Sequence, residues 1–193
     1  MEQLLPSSFF NRQTAKVARD LLGRDLIRHV GKHRLKARIV ETEAYLEKGD
    51  PAAHCSRGPT PRAKVMFGEP GTIYVYYIYG NYFMLNIVTE KPGVAGAVLI
   101  RAVEPVEGEK EMSRRRKGKK LRDLTNGPAK LVLAMGIDGS LNGKMLRLPH
   151  LAIANGEPVA DKDVVTTTRI GINVAKDLPL RFYVKGNPFV SAI

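Results

Sequence analysis

Glu41 and Glu43 stand two residues apart at the end of Arg34–Tyr45, a stretch in which Leu35, Ala37 and Ile39 alternate with Arg34, Lys36 and Arg38. Alternation of this kind is the pattern of a half-buried strand, whose side chains repeat with a period of two. Continued in odd register, the apolar face ends in Glu41, Glu43 and Tyr45. Two carboxylates on a core face need cations or hydrogen bonds around them, and a carboxylate so held beside a water is a candidate general base. Parity alone is equally compatible with a bulge or strand end that turns both to solvent. A second anomaly bears on the choice, because Arg101 interrupts the apolar run Ala97–Val103. A buried guanidinium needs an anionic partner, and Glu41 or Glu43 would serve. A structural ion pair, or an edge strand that exposes Arg101, is the other reading.

Aromatic residues form the second chemical group. Gly71–Thr89 reads GTIYVYYIYGNYFMLNIVT, with Gly80-Asn81 as a hairpin turn between Tyr79 and Tyr82. A tyrosine at a hairpin tip in a basic chain suits a wedge that enters a nucleic-acid stack, whereas Tyr74, Tyr76, Tyr77 and Phe83 fit either a core or a stacking pocket. Asn86 places an amide in the apolar run 83–88, to inspect a base edge or to satisfy a structural hydrogen bond. His54 lies in the turn-rich loop that follows the carboxylates, where binding residues concentrate. No second histidine or cysteine stands at ligand spacing, so neither a metal nor a cofactor is expected.

The elements that must position these residues follow from periodicity and punctuation. A helix is expected over Ser8–Leu22, stopped by Gly23. A hairpin of Asp25–Val30 and Arg34–Tyr45 turns at Gly31-Lys32, and a second pairs Gly71–Tyr79 with Tyr82–Thr89. Val94–Val103 reads as a strand ended by Pro105. A basic segment from Glu107 starts as helix and loops around Gly118. A helix over Ala129–Met135 has Pro128 in its first turn and Gly136 as its stop. Leu146–Ala154, Asp163–Ile170 and Leu180–Val184 return to strand. The fold expected is a single α+β domain, 1–193, with a mainly antiparallel, curved sheet flanked by helices and a protruding β-hairpin that inserts into DNA.

Charge narrows the partner. The 193 residues carry 31 lysines and arginines against 19 acidic residues, a net charge of +12. An excess of that size favours a polyanion. It concentrates between Glu109 and Lys130, where Arg114, Arg115, Arg116 and Lys130 are candidate phosphate contacts, although a solvated basic loop has the same composition. The one cysteine, Cys55, rules out a disulfide within the chain and any multi-cysteine metal site. No apolar run approaches the ~18 residues of a membrane span, and no secretory leader is evident. The expectation from composition is a chain that is not secreted, stays off the membrane, works in the cytoplasm and meets a polyanion such as nucleic acid.

Glu41, Glu43, Tyr45, His54, Tyr74, Tyr76, Tyr79, Arg101 and Lys130 fall within blocks that are specific together: Ile39-Val-Glu-Thr-Glu-Ala-Tyr45, Ala52-Ala-His54, Met66-Phe67, Pro70-Gly-Thr-Ile-Tyr-Val-Tyr76, Ile78-Tyr-Gly80, Leu99-Ile-Arg-Ala-Val-Glu-Pro105, Asn126-Gly-Pro-Ala-Lys130 and Leu180-Arg-Phe-Tyr-Val184. In these blocks, over nearly its whole length, the chain resembles the alkyladenine, or 3-methyladenine, DNA glycosylases of the monofunctional type first known from mammals, and the resemblance implies a monomer that works on double-stranded DNA with damaged purines, in the cytoplasm at the nucleoid or in a nucleus. The resemblance implies that Glu43 deprotonates a water for attack on the sugar C1′, that Arg101 helps to hold this water, and that the backbone carbonyl of Ile170 is a further water ligand. It implies that Tyr45, His54 and Tyr76 sandwich and hydrogen-bond a flipped base, and that the Asn86 amide excludes guanine. By the same resemblance Tyr79 intercalates, with Asn81 beside it where mammalian members carry methionine; Cys55 follows His54 where a serine is common.

The chemistry is coherent on general grounds as well. Most glycosidases use two carboxylates, but an alkylated purine already carries positive charge and needs less acid assistance, and tyrosines favour a cation on their ring faces. No lysine is placed for the Schiff base of a lyase, so hydrolysis without strand cleavage is expected. Two other classes stay open from the residues alone. A non-catalytic nucleic-acid-binding module explains the charge and the aromatics but not the carboxylates. An enzyme of small nucleotides or formyl-type substrates would act on free nucleosides without a duplex.

Overall fold

The computed structural model describes residues 2–78, 80 and 82–191. Eight strands, β1 (Asp25–Val30), β2 (His33–Leu46), β3 (Ile73–Ile78), β4 (Tyr82–Val88), β5 (Gly96–Glu107), β6 (Ala152–Ala154), β7 (Val164–Thr167) and β8 (Arg181–Val184), form one sheet. The order is β3-β4-β5-β2-β1-β6, and β8 also pairs with β2 and carries β7. Every pairing is antiparallel. The expected α+β, mainly antiparallel sheet with flanking helices is therefore present. Strand β2 is its hub: β5 runs along one edge, while the other is shared between β1 at residues 33–38 and β8 at residues 41–43.

The expected N-terminal helix is two short ones, α1 (Ser7–Phe10) and α2 (Thr14–Asp20). The break has a tertiary cause. A Glu90 carboxylate oxygen accepts the Thr14 N–H at 2.6 Å and the Thr14 hydroxyl at 2.8 Å, capping α2 from a distant loop. Phe10, Val17, Ala18, Leu21 and Leu22 still supply the apolar face that the periodicity marks. Helix α3 (Glu109–Arg115) ends where Lys117 and Gly118 take positive φ, and α4 (Pro128–Ala134) starts on its proline. No described helix is long and apolar enough to cross a membrane.

Three strand expectations need correction. Pro105 does not end β5, which continues to Glu107. The proline pairs with Ala37 beside a register shift, and β4 leaves the other edge of β5 after Leu99, so the missing N–H interrupts no regular ladder. Leu146–Ala154 holds strand only in β6, because the chain first bends through the Arg147–Leu151 bridge around Pro149. Asp163–Ile170 is strand only as far as Thr167, which releases Arg169 and Ile170 from the ladder.

The parity argument for the carboxylates is also corrected. Ile39 pairs with Val103 and Glu41 with Ala102, but Thr42 pairs with Ile100, so Val40 on β2 and then Arg101 on β5 drop out of register. This double bulge reverses the faces. Beyond it Thr42 points at α2, donating its hydroxyl to the Ala18 carbonyl, and Ala44 joins the main core with Leu35, Ala37 and Ile39. Glu41 and Glu43 come to the opposite face. They are nevertheless fully buried, because the segment after β6 covers that face and leads Ile170, Arg181 and Ser191 to them.

Candidate active site

Glu43 accepts two hydrogen bonds and pairs with one guanidinium. Oε1 takes the Ile170 N–H at 2.8 Å and faces Arg101 Nη1 at 3.3 Å, while Oε2 takes the Tyr45 hydroxyl at 2.9 Å. Arg101 meets both acids, since its Nε also donates to Glu41 at 3.1 Å. The structure thus brings Glu43, Arg101, Tyr45 and Ile170 together. For Ile170 it is the N–H that reaches the carboxylate, a contact the sequence reading did not contain. Burial, then the charge of Glu43, raises the pKa of the Tyr45 phenol above its ordinary value, so at neutral pH this hydroxyl is a donor.

Tyr45 connects this carboxylate to a cavity of about 280 Å³, lined by Tyr45, His54, Met66, Tyr74, Tyr76, Ile78, Asn86 and the loop Gly171–Val174 among others. That volume is near the lower end of the ~300–1,000 Å³ usual for small-molecule sites. Strands β3 and β4 position the aromatic wall: Tyr74 faces Asn86 across the ladder and Tyr76 faces Met84. The loop carrying His54 folds onto them, so the His54 ring stands edge-on to Tyr76 at 4.7 Å, and its Nδ1 lies 2.8 Å from the Tyr74 hydroxyl. Burial, and then the charge of Arg62, hold the His54 pKa below its ordinary value, which favours the neutral ring at neutral pH. A neutral imidazole offers one donor and one acceptor, which suits a heteroaromatic edge.

Asn86 is buried and donates Nδ2 to the Tyr74 carbonyl at 3.2 Å and to the Met84 carbonyl at 3.4 Å. Its amide nitrogen is thus committed to structural bonds while the residue lines the cavity. Of the two readings its sequence position left open, the structural hydrogen bond is present, on a side chain that also lines the cavity.

The four basic residues assigned to phosphate contacts have partners within the protein. Arg114 and Arg115 both pair with Glu111, at 2.7 and 2.8 Å. Arg116 donates to the Leu124 carbonyl and Lys130 to the Asn126 side chain. Arg114 keeps 70% of its side chain exposed, so one charge can serve a phosphate and Glu111 in turn. The two tip residues assigned to intercalation, Tyr79 and Asn81, lie outside the described residues. On the flanks of that turn Tyr77 and Tyr82 are exposed.

Several residues of the site were missed by sequence reasoning. Arg169 and Asp50 form a fully buried pair, with bonds of 2.7 and 2.6 Å; Asp50 also accepts the Leu46 and Ala52 N–H groups, and Arg169 stacks 4.7 Å over the Tyr45 ring. Arg62 lies 5.1 Å over Tyr76 and donates to the Tyr77 carbonyl. Arg181 and Ser191 complete the contacts around Glu41, while Tyr74, which the sequence left between core and stacking pocket, bonds His54. Asp50 sits in a loop and Arg169 just past a strand, where charged residues are common, so no local pattern distinguishes them from solvated side chains.

Comparison with known proteins shows the family of the chain. The family profile of methylpurine-DNA glycosylases matches residues 8–188. A protein of Carboxydothermus hydrogenoformans, provisionally named a 3-methyladenine DNA glycosylase, is 52% identical over 97% of this chain and 98% of its own length. Proteins with the same provisional name from Prosthecochloris aestuarii and Methanocella arvoryzae are 50% and 48% identical, covering 95% and 97% of this chain and 88% and 96% of their own lengths.

Proposed function

Because the chain belongs to the methylpurine-DNA glycosylase family, we propose that it flips alkylated or deaminated purines, of the 3-methyladenine, hypoxanthine and ethenoadenine type, out of duplex DNA and hydrolyses their N-glycosidic bond. The observation that carries the reading is a solvent-sealed carboxylate, held by two hydrogen bonds and an ion pair, one hydrogen bond behind an aromatic cavity, with Tyr45 shared between the two. The flipped base stacks among Tyr45, His54 and Tyr76, which bind a cationic purine through their ring faces. Its sugar C1′ then lies on the Tyr45 side of the cavity, from which the Tyr45 hydroxyl reaches Glu43.

Glu43 takes a proton from one sequestered water as the water oxygen attacks C1′. The C1′–N bond breaks with its electron pair leaving on the purine, and the products are the free base and an abasic sugar bearing the new hydroxyl. An alkylated purine leaves neutral; a neutral lesion needs a proton from the site or solvent. Among the described residues lining the cavity there is no lysine amine to form a Schiff base, which supports hydrolysis without strand cleavage. The tip residues Tyr79 and Asn81 fill the gap left in the stack, and the basic segment with Arg114 supplies salt-sensitive, sequence-independent grip on the backbone. The protein acts as a monomer near the DNA it repairs.

The test is single-turnover excision from duplexes carrying one hypoxanthine, ethenoadenine or 3-methyladenine, developed with mild alkali. Glu43→Gln should abolish excision, by at least ~10²-fold as for loss of a general base, while duplex binding persists. A folded wild type that binds duplex yet releases no base from any of them would instead favour a binding module.

A further inference from the structure

Glu41 has no part in the reaction so far, and it does not line the cavity. It is fully buried and takes more donors than Glu43. Its Oε1 accepts Arg101 Nε at 3.1 Å, Arg181 Nε at 2.6 Å and the Ser191 hydroxyl at 2.9 Å; its Oε2 accepts the Ser191 N–H at 2.8 Å. Ser191, 150 positions along the chain, thereby closes the carboxylate with both backbone and side chain. Arg101 Nη2 donates in turn to the Ser191 hydroxyl at 3.4 Å. Two carboxylates and two guanidiniums balance in charge at the double bulge, where the ladder itself leaves Arg101 out of register.

The geometry of the guanidinium decides what this arrangement does. Arg101 spends one side of its planar fork, Nε and Nη2, on Glu41 and Ser191, and only the far nitrogen, Nη1, reaches Glu43. An arginine free to choose pairs with a carboxylate through two parallel bonds. On Glu43 such a pair would engage both oxygens, including the one that Tyr45 shares with the cavity side, and would weaken the carboxylate as a proton acceptor. We propose that Ser191 and Arg181, by gripping Glu41, are positioning residues that hold Arg101 in single-point contact with Glu43, so that the C-terminal segment completes the active site. Neither Ser191 nor Glu41 touches the substrate. The assignment rests on the glycosylase reading given above.

Besides Arg101, the charged or titratable groups near Glu43 among the described residues are Tyr45 and Glu41 on β2, Arg181 opposite it on β8 and Arg169 after β7, and of these it is Glu41 that bonds Ser191. The experiment compares wild type, Ser191→Ala and Ser191→Thr in single-turnover excision from a hypoxanthine duplex across pH, with duplex affinity and melting temperature measured alongside. In Ser191→Ala the rate falls about tenfold, in keeping with a lost hydrogen bond to a charged group. The acid limb of its rate profile moves to lower pH as Arg101 closes on Glu43, and duplex affinity is unchanged. Ser191→Thr, which keeps the hydroxyl, restores rate and profile. Should Ser191→Ala not fold, Arg181→Lys, which withdraws the Nε donor but keeps the charge, is read by the same curves. A wild-type rate in the folded variant, a rate loss with an unmoved profile, or a loss shared by affinity each overturns the assignment. An inactive wild type overturns the glycosylase reading, and this assignment with it.

Discussion

Asp50→Asn tests how the wall of the cavity is held. Arg169 and Asp50 have no exposed side-chain surface, and the guanidinium makes two bonds to the carboxylate at 2.7 and 2.6 Å and a third to the Ala44 carbonyl. The substitution keeps the shape but removes the countercharge, and it turns an NH₂ group toward N–H donors of Arg169 and of Leu46 or Ala52. Removing one partner of a buried pair costs about 3–5 kcal/mol, because the remaining charge is stranded. Against a total stability of roughly 5–15 kcal/mol that is a large fraction. At about 2–4 °C per kcal/mol for a chain of this size, the melting temperature should fall by about 6–20 °C. Calorimetry and urea unfolding read the loss directly. Excision measured well below the new midpoint should fall too, because Arg169 stacks on Tyr45 and precedes the Ile170 N–H that holds Glu43. The double variant Asp50→Asn/Arg169→Met removes the stranded charge and should recover much of the loss, which a thermodynamic cycle measures as coupling. A loss below ~1 kcal/mol for Asp50→Asn, or strictly additive single variants, would show that water or rearrangement satisfies Arg169, and the reasoning fails.

Two further outcomes can be read in solution. Burial, with a smaller contribution from Arg62, lowers the pKa of His54 from its ordinary 6.5. The unfolded chain therefore takes up this proton first as the pH falls, and the stability His54 contributes is complete above about 6.5 and is lost as the pH drops toward the folded value. An NMR titration should give a midpoint below 6.5, and His54→Asn should flatten the fall in stability between neutral and mildly acid pH; a midpoint at or above 6.5 contradicts the burial argument. Burial also pushes the Cys55 thiol up to about 11. As the only cysteine it is a clean reporter: iodoacetamide at pH 8 should leave the native protein unmodified and label it fully in urea, and native labelling at the rate of a free thiol would show that the loop behind His54 opens.

The sequence by itself determined the hairpins and the α+β class and picked out the candidate side chains, because each rests on local information. Period-two alternation, glycine and proline punctuation and polar residues within apolar runs can all be read within a dozen residues. It also singled out Glu41, Glu43 and Arg101 as groups that need one another. The route to that conclusion, unbroken odd parity along β2, was wrong, since the double bulge at Val40 and Arg101 moves both carboxylates to the other face. They are buried there only because the chain after β6 returns to cover them. A bulge is a mismatch between two strands some 60 residues apart in the chain and leaves no mark on either one alone. The same holds for the Glu90 cap that divides the first helix, for the continuation of β5 through Pro105, and for Asp50, Arg169 and Ser191, whose sequence surroundings are those of ordinary loop residues. Which residues could do chemistry was a matter of type and local spacing. How Arg101 is shared between two carboxylates, and which wall Tyr45 holds in common between base and cavity, depended on contacts that only the folded chain creates.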